Sequence, residues 1–349
     1  MLSFNLCLKF SIEVNCGSKP DMLAHGVIPP WAKAEPIGPS GHHLIFDSFH
    51  RTHPYSDDRY HYNFMGARIA HELERDLIEA VPGFNPDLAN GLKASGRSVR
   101  YGDDPTYPHQ NSEDYFEWID LLTAIDRSHV QFTMIEVGAG YGRWISNAAA
   151  ALRRRTKTSA LQPKLVALEA NKGRFDLMVK NCRENEIPAS QLTLLRAACT
   201  PDGRPVFMIC NDDYGESVTN DAHIMRMFDL AKSDVISVSD NRGQTFLVEK
   251  VPAIRLADLL IEPVDFLDID IQGAELDVVF SCIDAMDEFV KMAHIGTHSA
   301  QVDARLSHIF HLHGWKPRRI FSCGAFNQTP YGAFQFIDGI QSWENPKFN

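Results

Sequence analysis

The segment Met134-Ile-Glu-Val-Gly138-Ala-Gly140-Tyr-Gly142-Arg-Trp144 runs from apolar residues straight into three alternate glycines. Such a run is a strand feeding a tight turn and then a helix, and it exposes main chain at the carboxyl edge of a sheet where Cβ atoms would otherwise obstruct a close approach. A second apolar run, Leu165-Val-Ala-Leu-Glu169, ends in an acid, and a carboxylate there can accept both hydroxyl hydrogens of a ribose. A third ends in Asp268-Ile-Asp270, with both carboxylates on one side of a strand if alternation persists to its end. A fourth closes on Ile295-Gly-Thr-His298-Ser299. Asp270 and His298 thus bring a carboxylate and an imidazole to one sheet edge, the equipment for orienting a hydroxyl and accepting its proton. Asp268 reads instead as a polar core or structural residue.

An adenosine ribose is common to nicotinamide dinucleotides and S-adenosylmethionine, so Glu169 does not choose between them. The glycine order does. A dinucleotide fingerprint is GxGxxG and brings a helix terminus to a pyrophosphate, whereas this chain has GxGxG preceded by Glu136. A sulfonium cofactor has no pyrophosphate to anchor, and an acid at Glu136 suits its cationic amino group or a hydrogen bond to the glycine loop. The expected cofactor-binding set is Glu136, Gly138, Gly140, Tyr141, Gly142, Glu169 and Ala198; the expected catalytic pair is Asp270 and His298, with the identity of the base left open. A nicotinamide-dependent oxidoreductase is the enzymatic alternative, and a noncatalytic adenosine-binding or scaffolding protein the alternative outside catalysis. No metal site is expected, because His308, His311 and His313 do not share one helical face.

These residues need a sheet to hold them. From 132 onward, short apolar runs alternate with longer amphipathic stretches, the rhythm of an α/β sheet covered on both faces. Strands are expected over 132–137, 164–169, 192–197, 264–269 and 290–296, with helices over 143–155, 172–185, 273–283 and 300–313. Two further strands, 318–322 and 332–337, are expected to form an antiparallel edge. Ser112 opens a helix running to about 125, with Phe116, Ile119 and Leu122 inward. Before it, a helix is expected over 62–80 and a strand-like stretch over 2–14. Residues 1–110 read as an N-terminal extension that shapes substrate choice and 111–349 as the catalytic domain, with an insertion or lid over 210–251.

Composition narrows the partners. The chain has 349 residues and a formal net charge of -11, which disfavours phosphate backbones and anionic bilayers. The run Arg153-Arg-Arg155 with Lys157 reads as the solvent-facing end of a helix whose dipole favours cations. Seven cysteines without a CxxC pair give neither a disulfide framework nor a zinc signature. With no basic leader region and no long uncharged run, the chain is expected to be cytoplasmic and free of membrane.

Taken together, IEVGAGYGRW at 135–144, ALEAN at 167–171, VPAIRLADLL at 251–260, DFLDIDIQGAE at 265–275, HIGTHS at 294–299, HGW at 313–315 and the closing YGAFQFIDGIQSWENP resemble the FkbM-type methyltransferases, a branch of the class I enzymes that use S-adenosylmethionine. The resemblance, which runs from about 113 to 346, implies a Rossmann-like, mainly parallel seven-stranded sheet flanked by helices. It also implies methyl transfer to oxygen on a sugar or natural-product-like small molecule, with homo-oligomerisation left open. By that likeness Glu136, Gly138, Gly140 and Gly142 match the first cofactor motif, Glu169 the ribose-binding acid and Asp270 the acidic active-face motif. Two positions depart from the family pattern: Asp268 stands where Lys is usual and Gln272 where an acid usually precedes the glycine.

Overall fold

The computed structural model describes residues 35–71, 73, 106–157, 161–210, 218–219, 222–239 and 245–348. In chain order it opens with a three-stranded meander, β1 (Tyr55–Ser56), β2 (Tyr60–Tyr62) and β3 (Arg68–Ala70). Next come α1 (Glu113–Arg127), β4 (Gln131–Val137), α2 (Arg143–Arg154), β5 (Gln162–Leu168), α3 (Lys172–Glu184), β6 (Leu192–Leu195) and β7 (Ala198–Cys199). A middle section holds β8 (Val206–Cys210), β9 (Val218–Thr219), α4 (Ala222–Ala231), β10 (Val235–Ser239), β11 (Thr245–Val251) and β12 (Ala253–Ile254). The chain finishes with β13 (Phe266–Ile269), α5 (Glu275–Phe289), β14 (Met292–Thr297), α6 (Ala300–Leu312), β15 (Lys316–Phe321), β16 (Phe326–Thr329), β17 (Gly332–Gln335) and β18 (Gly339–Glu344).

Seven strands form the central sheet in the order β6, β5, β4, β13, β14, β18, β15. All run parallel except β18, which is antiparallel to both neighbours. The mainly parallel, Rossmann-like sheet flanked by helices is therefore present. Burial on both faces explains the near-continuous apolar strands. Phe132, Met134, Leu165 and Phe266 face one core shared with α1 and α2, while Ile135, Val137, Val166 and Ile269 face a second core under α5 and α6. From β4 the chain winds outward through β5 and β6, then returns to β4's other side as β13. That reversal leaves a crevice at the carboxyl ends of β4 and β13.

Helix starts follow local chemistry. Ser112 Oγ accepts from Asp114 N at α1, Asn171 Oδ1 accepts from Arg174 N at α3, and Ser299 Oγ accepts from Val302 N at α6. The α2 start has no such side-chain cap, since Gly142 precedes it in a left-handed conformation.

Three local expectations are corrected. β15 does not pair with the strand at 332–335; it pairs with β18, while β17 folds back on β16 as a separate hairpin. Residues 62–70 hold the end of β2, a turn and β3 rather than a helix, because the Asn63 side chain accepts from Met65 N and Ala67 N and bends the chain there, while His71 and Leu73, further along the expected span, are helical. Leu77 and Ile78 lie outside the described residues, as does the whole of 2–14. Helix α5 continues to Phe289, beyond the expected 283, since Met286 extends its buried stripe.

Around the expected insertion, β10, β11, β8 and β9 make an antiparallel sheet, packed with α4 around its own core of Phe207, Ile209, Phe228 and Val248. The described part of the N-terminal extension is built differently. Phe46, Phe49, Phe64 and Met65 join the core under α1 and α2. Among the described residues no helix is long and apolar enough to cross a membrane.

Candidate active site

A cleft of about 490 Å³ opens where β4, β5 and β13 end, and Gly138, Gly140, Glu169, Ala198 and Asp270 line it. Gly138 has φ 87°, and a Cβ there would land on the main-chain carbonyl oxygen of Asp270. Glycine thus lets the ends of β4 and β13 close up at the switch point. Gly142, at φ 72°, makes room for Met178, whose Cγ would lie 2.8 Å from an added Cβ. At these two glycines the close approach is made by protein.

Gly140 N donates to Glu169 Oε2 at 2.7 Å, and Asn171 N donates to Glu169 Oε1 at 2.7 Å. Glu169 therefore pins the glycine loop to the end of β5 while each oxygen keeps lone-pair capacity for a ligand hydroxyl. Burial pushes its pKa up, against the opposing pull of these amides and of Arg174.

Glu136, Tyr141 and Gly142 stand outside the lining of the cleft. Alternation along β4 explains Glu136: Val137 faces the cleft, so the preceding side chain faces the other way. Its carboxylate accepts from Ile145 N at 2.9 Å and Trp144 N at 3.3 Å, supplying the missing cap of α2. Burial raises its pKa, and the charge of Asp268 adds to the rise.

Glu136 belongs to a buried polar row crossing the sheet, since Asp268 is its neighbour in register, His294 is next to Asp268, and Ser342 next to His294. Asp120 of α1 closes the row from above, pairing with His294 Nδ1 at 3.0 Å and with Arg319 and Ser342. Burial alone would raise the Asp120 pKa, but Arg319, His294 and Arg318 hold it well below the ordinary carboxylate range. Asp268, by contrast, is pushed up by burial.

Asp270 follows β13 and leaves the row. Its side chain lies beside Gly296 on β14, where an added Cβ would meet Asp270 Cγ at 3.4 Å, an ordinary packing distance. His298 Nε2 lies 3.3 Å from Asp270 Oδ1, within ion-pair range though off the line of an aligned hydrogen bond. On the other side of the ring, His298 Nδ1 is 2.9 Å from Glu275 Oε1. Glu275 is fully buried, and the same oxygen accepts from Gly273 N at 2.9 Å and Ile271 N at 3.2 Å. Burial alone would lower the His298 pKa, but Asp270 and Glu275 outweigh it and raise it to about 10. His298 is thus an imidazolium at neutral pH, donating from one ring nitrogen to Glu275 and presenting the other to Asp270. Asp338 adds a further carboxylate 3.9 Å from Nε2, and Glu113 fixes that loop by accepting from Ile337 N and Asp338 N.

The two expected catalytic residues therefore meet, and Glu275, Asp338 and Glu113 are additions that the sequence did not single out. Glu275 lies inside the DIQGAE run, but an acid in the first turn of a helix is ordinarily explained by the helix dipole alone.

A strand, glycine loop and acid at the switch point, with a carboxylate–imidazolium pair on the next strands, coincide with residues 136–311 matching the family described as the methyltransferase FkbM domain. The chain belongs to the FkbM methyltransferase family. It is accordingly an S-adenosylmethionine-dependent methyltransferase. A putative methyltransferase from Jannaschia sp. (strain CCS1) is 26% identical over 255 residues, covering 72% of this chain and 81% of that protein. Among solved structures, the FkbM methyltransferase of Methylobacillus flagellatus KT is 11% identical with a TM-score of 0.34; the match covers 62% of this chain and 45% of that one. This FkbM-family chain therefore spans less than half the length of that structure. The human methyltransferase 10 domain containing protein is 11% identical over 74% of this chain and 97% of that one, with a TM-score of 0.36.

The donor set of this FkbM-family cleft suits the methyl donor. Its volume lies in the range of small-molecule sites, and Glu169, already held by two amides, offers acceptors for vicinal hydroxyls.

Proposed function

We propose that this enzyme methylates a hydroxyl oxygen of a sugar-like or natural-product-like small molecule, with Glu169, Gly138, Gly140 and Ala198 holding the adenosine end of the donor. The Asp270 carboxylate carries the reading: it stands in the lining of the cleft, its side chain 54% exposed, with an imidazolium behind it. When bound, S-adenosylmethionine supplies the electrophilic methyl group. Asp270 accepts the acceptor's O–H, aligns the oxygen, and takes its proton as the new C–O bond forms. His298 Nδ1 is taken up by Glu275 while Nε2 faces the Asp270 carboxylate, so the ring positions Asp270 rather than serving as the base. Glu275 is the positioning residue that holds the ring. Asp338 adds negative charge close to Asp270, which at that point favours an uncharged hydroxyl over an anionic group. Acceptor choice falls to segments flanking the motif-bearing sheet: the extension 1–110 and the antiparallel β8–β11 sheet, whose Val206, Phe207 and Met208 border the cleft as an insertion or lid would.

Calorimetric titration with S-adenosylmethionine, S-adenosylhomocysteine and NADH tests the cofactor half of the proposal. Binding of the first two and not the third, weakened in Glu169→Ala, is expected; a preference for NADH would reverse it. Mass-spectrometric detection of methylated product across neutral polyols and their phosphorylated counterparts tests the acceptor half, and turnover confined to the phosphorylated compounds would overturn it.

A further inference from the structure

A second cavity, of about 420 Å³, lies between the β1–β3 meander and the last turn of α2. Helix α2 starts at the glycine loop and ends at Arg154, so this cavity sits toward the opposite edge of the sheet. Its walls include Tyr55, Tyr62, Arg68, Arg153, Arg154 and Glu186. Three guanidinium groups thus face a single carboxylate, in a chain whose overall charge is -11.

The pairing is unequal. Glu186 is committed to Arg68. Arg154 donates from Nε to Met65 O at 2.7 Å and from Nη1 to His50 O at 3.3 Å, both neutral partners that leave its charge uncompensated. Among the described residues no carboxylate pairs with Arg153. Burial depresses the Arg153 pKa, and Arg68 and Arg154 push the same way against Glu186. A helix C-terminus accounts for Arg153 and Arg154, which the dipole favours. It does not account for Arg68, brought to the same space from β3 and anchored there by Asn185 Oδ1, which accepts from Arg68 N at 2.8 Å. Beside the arginines, Tyr55 stacks on Tyr62 with ring centroids 4.3 Å apart and stays 56% exposed, a flat apolar wall.

We propose that this cavity binds a phosphate-bearing small molecule. The Arg153 and Arg154 guanidinium groups hold the oxyanion through charge-assisted hydrogen bonds, and the tyrosine pair receives any organic group attached to it. Glu186 competes with the ligand for Arg68, which gives the two ends of the cavity opposite mutational signs.

Calorimetry of the full chain with inorganic phosphate and with phenyl phosphate tests this directly. Both are expected to bind, phenyl phosphate the tighter because its ring rests on the tyrosine wall. Arg153→Gln should weaken both by about tenfold, and Glu186→Gln should tighten both severalfold by releasing Arg68. Unaltered S-adenosylhomocysteine binding in the two variants confirms that each is folded. Binding of inorganic phosphate alone leaves the oxyanion site standing and identifies the free ion as its ligand. No binding of either compound up to about 10 mM, the weak end of specific association, or binding that neither substitution changes, overturns the proposal.

Discussion

Asp270 and His298 divide the site by charge, one as the exposed acceptor of a proton and the other as its fixed cation. Asp270→Asn should therefore lower kcat by about 10²–10⁴-fold, while calorimetric affinity for S-adenosylhomocysteine stays within a few-fold; unchanged kcat would remove Asp270 from the chemistry. His298 makes a second, pH-dependent contribution. Its folded pKa of about 10 lies above the unfolded value of about 6.5. The stability it adds is therefore fully present below about pH 6.5 and is lost as pH rises through about 10. The gap in urea midpoint between the wild type and His298→Gln should shrink over that window, and in Glu275→Gln the shrinkage should begin at lower pH. Asp270, His298 and Glu169 were legible because each ends an apolar run. Glu136 was legible as important but not in its role. A one-residue step along β4 turns a side chain from the cleft to the core, and that step appears only when Val137 is seen lining the cleft.

At the level of elements, α2 depends on an acid from the strand beneath it. Glu136→Ala would strand the amides of Trp144 and Ile145 in the core, and the expected cost is about 1–3 kcal/mol in denaturant unfolding. Glu136→Gln retains an acceptor and should cost less; equal losses would mean that charge, not hydrogen bonding, holds the helix start. The strand–glycine–helix unit could be read because strand period, glycine and helix period change abruptly at Gly138 and Gly142. β18 could not. Its GIQSWE sequence mixes polar and apolar residues, yet its first five residues are buried, since Gln341 bonds to Asp303 O at 2.7 Å and Ser342 joins the polar row. A pattern of hydrophobicity cannot announce a strand whose polar side chains are satisfied inside.

Across the molecule, the same polar row ties distant parts of the chain together. Arg319 on β15 pairs with Asp120 on α1, and its Nε lies 2.7 Å from Glu35 Oε1 at the start of the described extension. Both acids hold pKa values lowered by these cations despite burial, which alone would raise them. Their stabilisation is present above the unfolded carboxylate value of about 4 and is lost only as pH falls through the depressed folded values. Among the described residues, removing the cation leaves two buried acids, Asp120 with only His294 and Arg318 as ion-pair partners and Glu35 with only His43. Arg319→Met should accordingly cost about 3–5 kcal/mol, more than deletion of an exposed pair such as Lys172 with Asp176. The pattern of unfolding decides more than the size of the loss. Because Phe46, Phe49 and Phe64 share a core with α1 and α2, the substitution should shift one cooperative transition, seen alike by tryptophan fluorescence and by far-ultraviolet circular dichroism. Two separated transitions, or a fluorescence midpoint that does not move, would mean that the extension unfolds as a unit of its own and that the Glu35–Arg319 pair joins two domains instead of closing one.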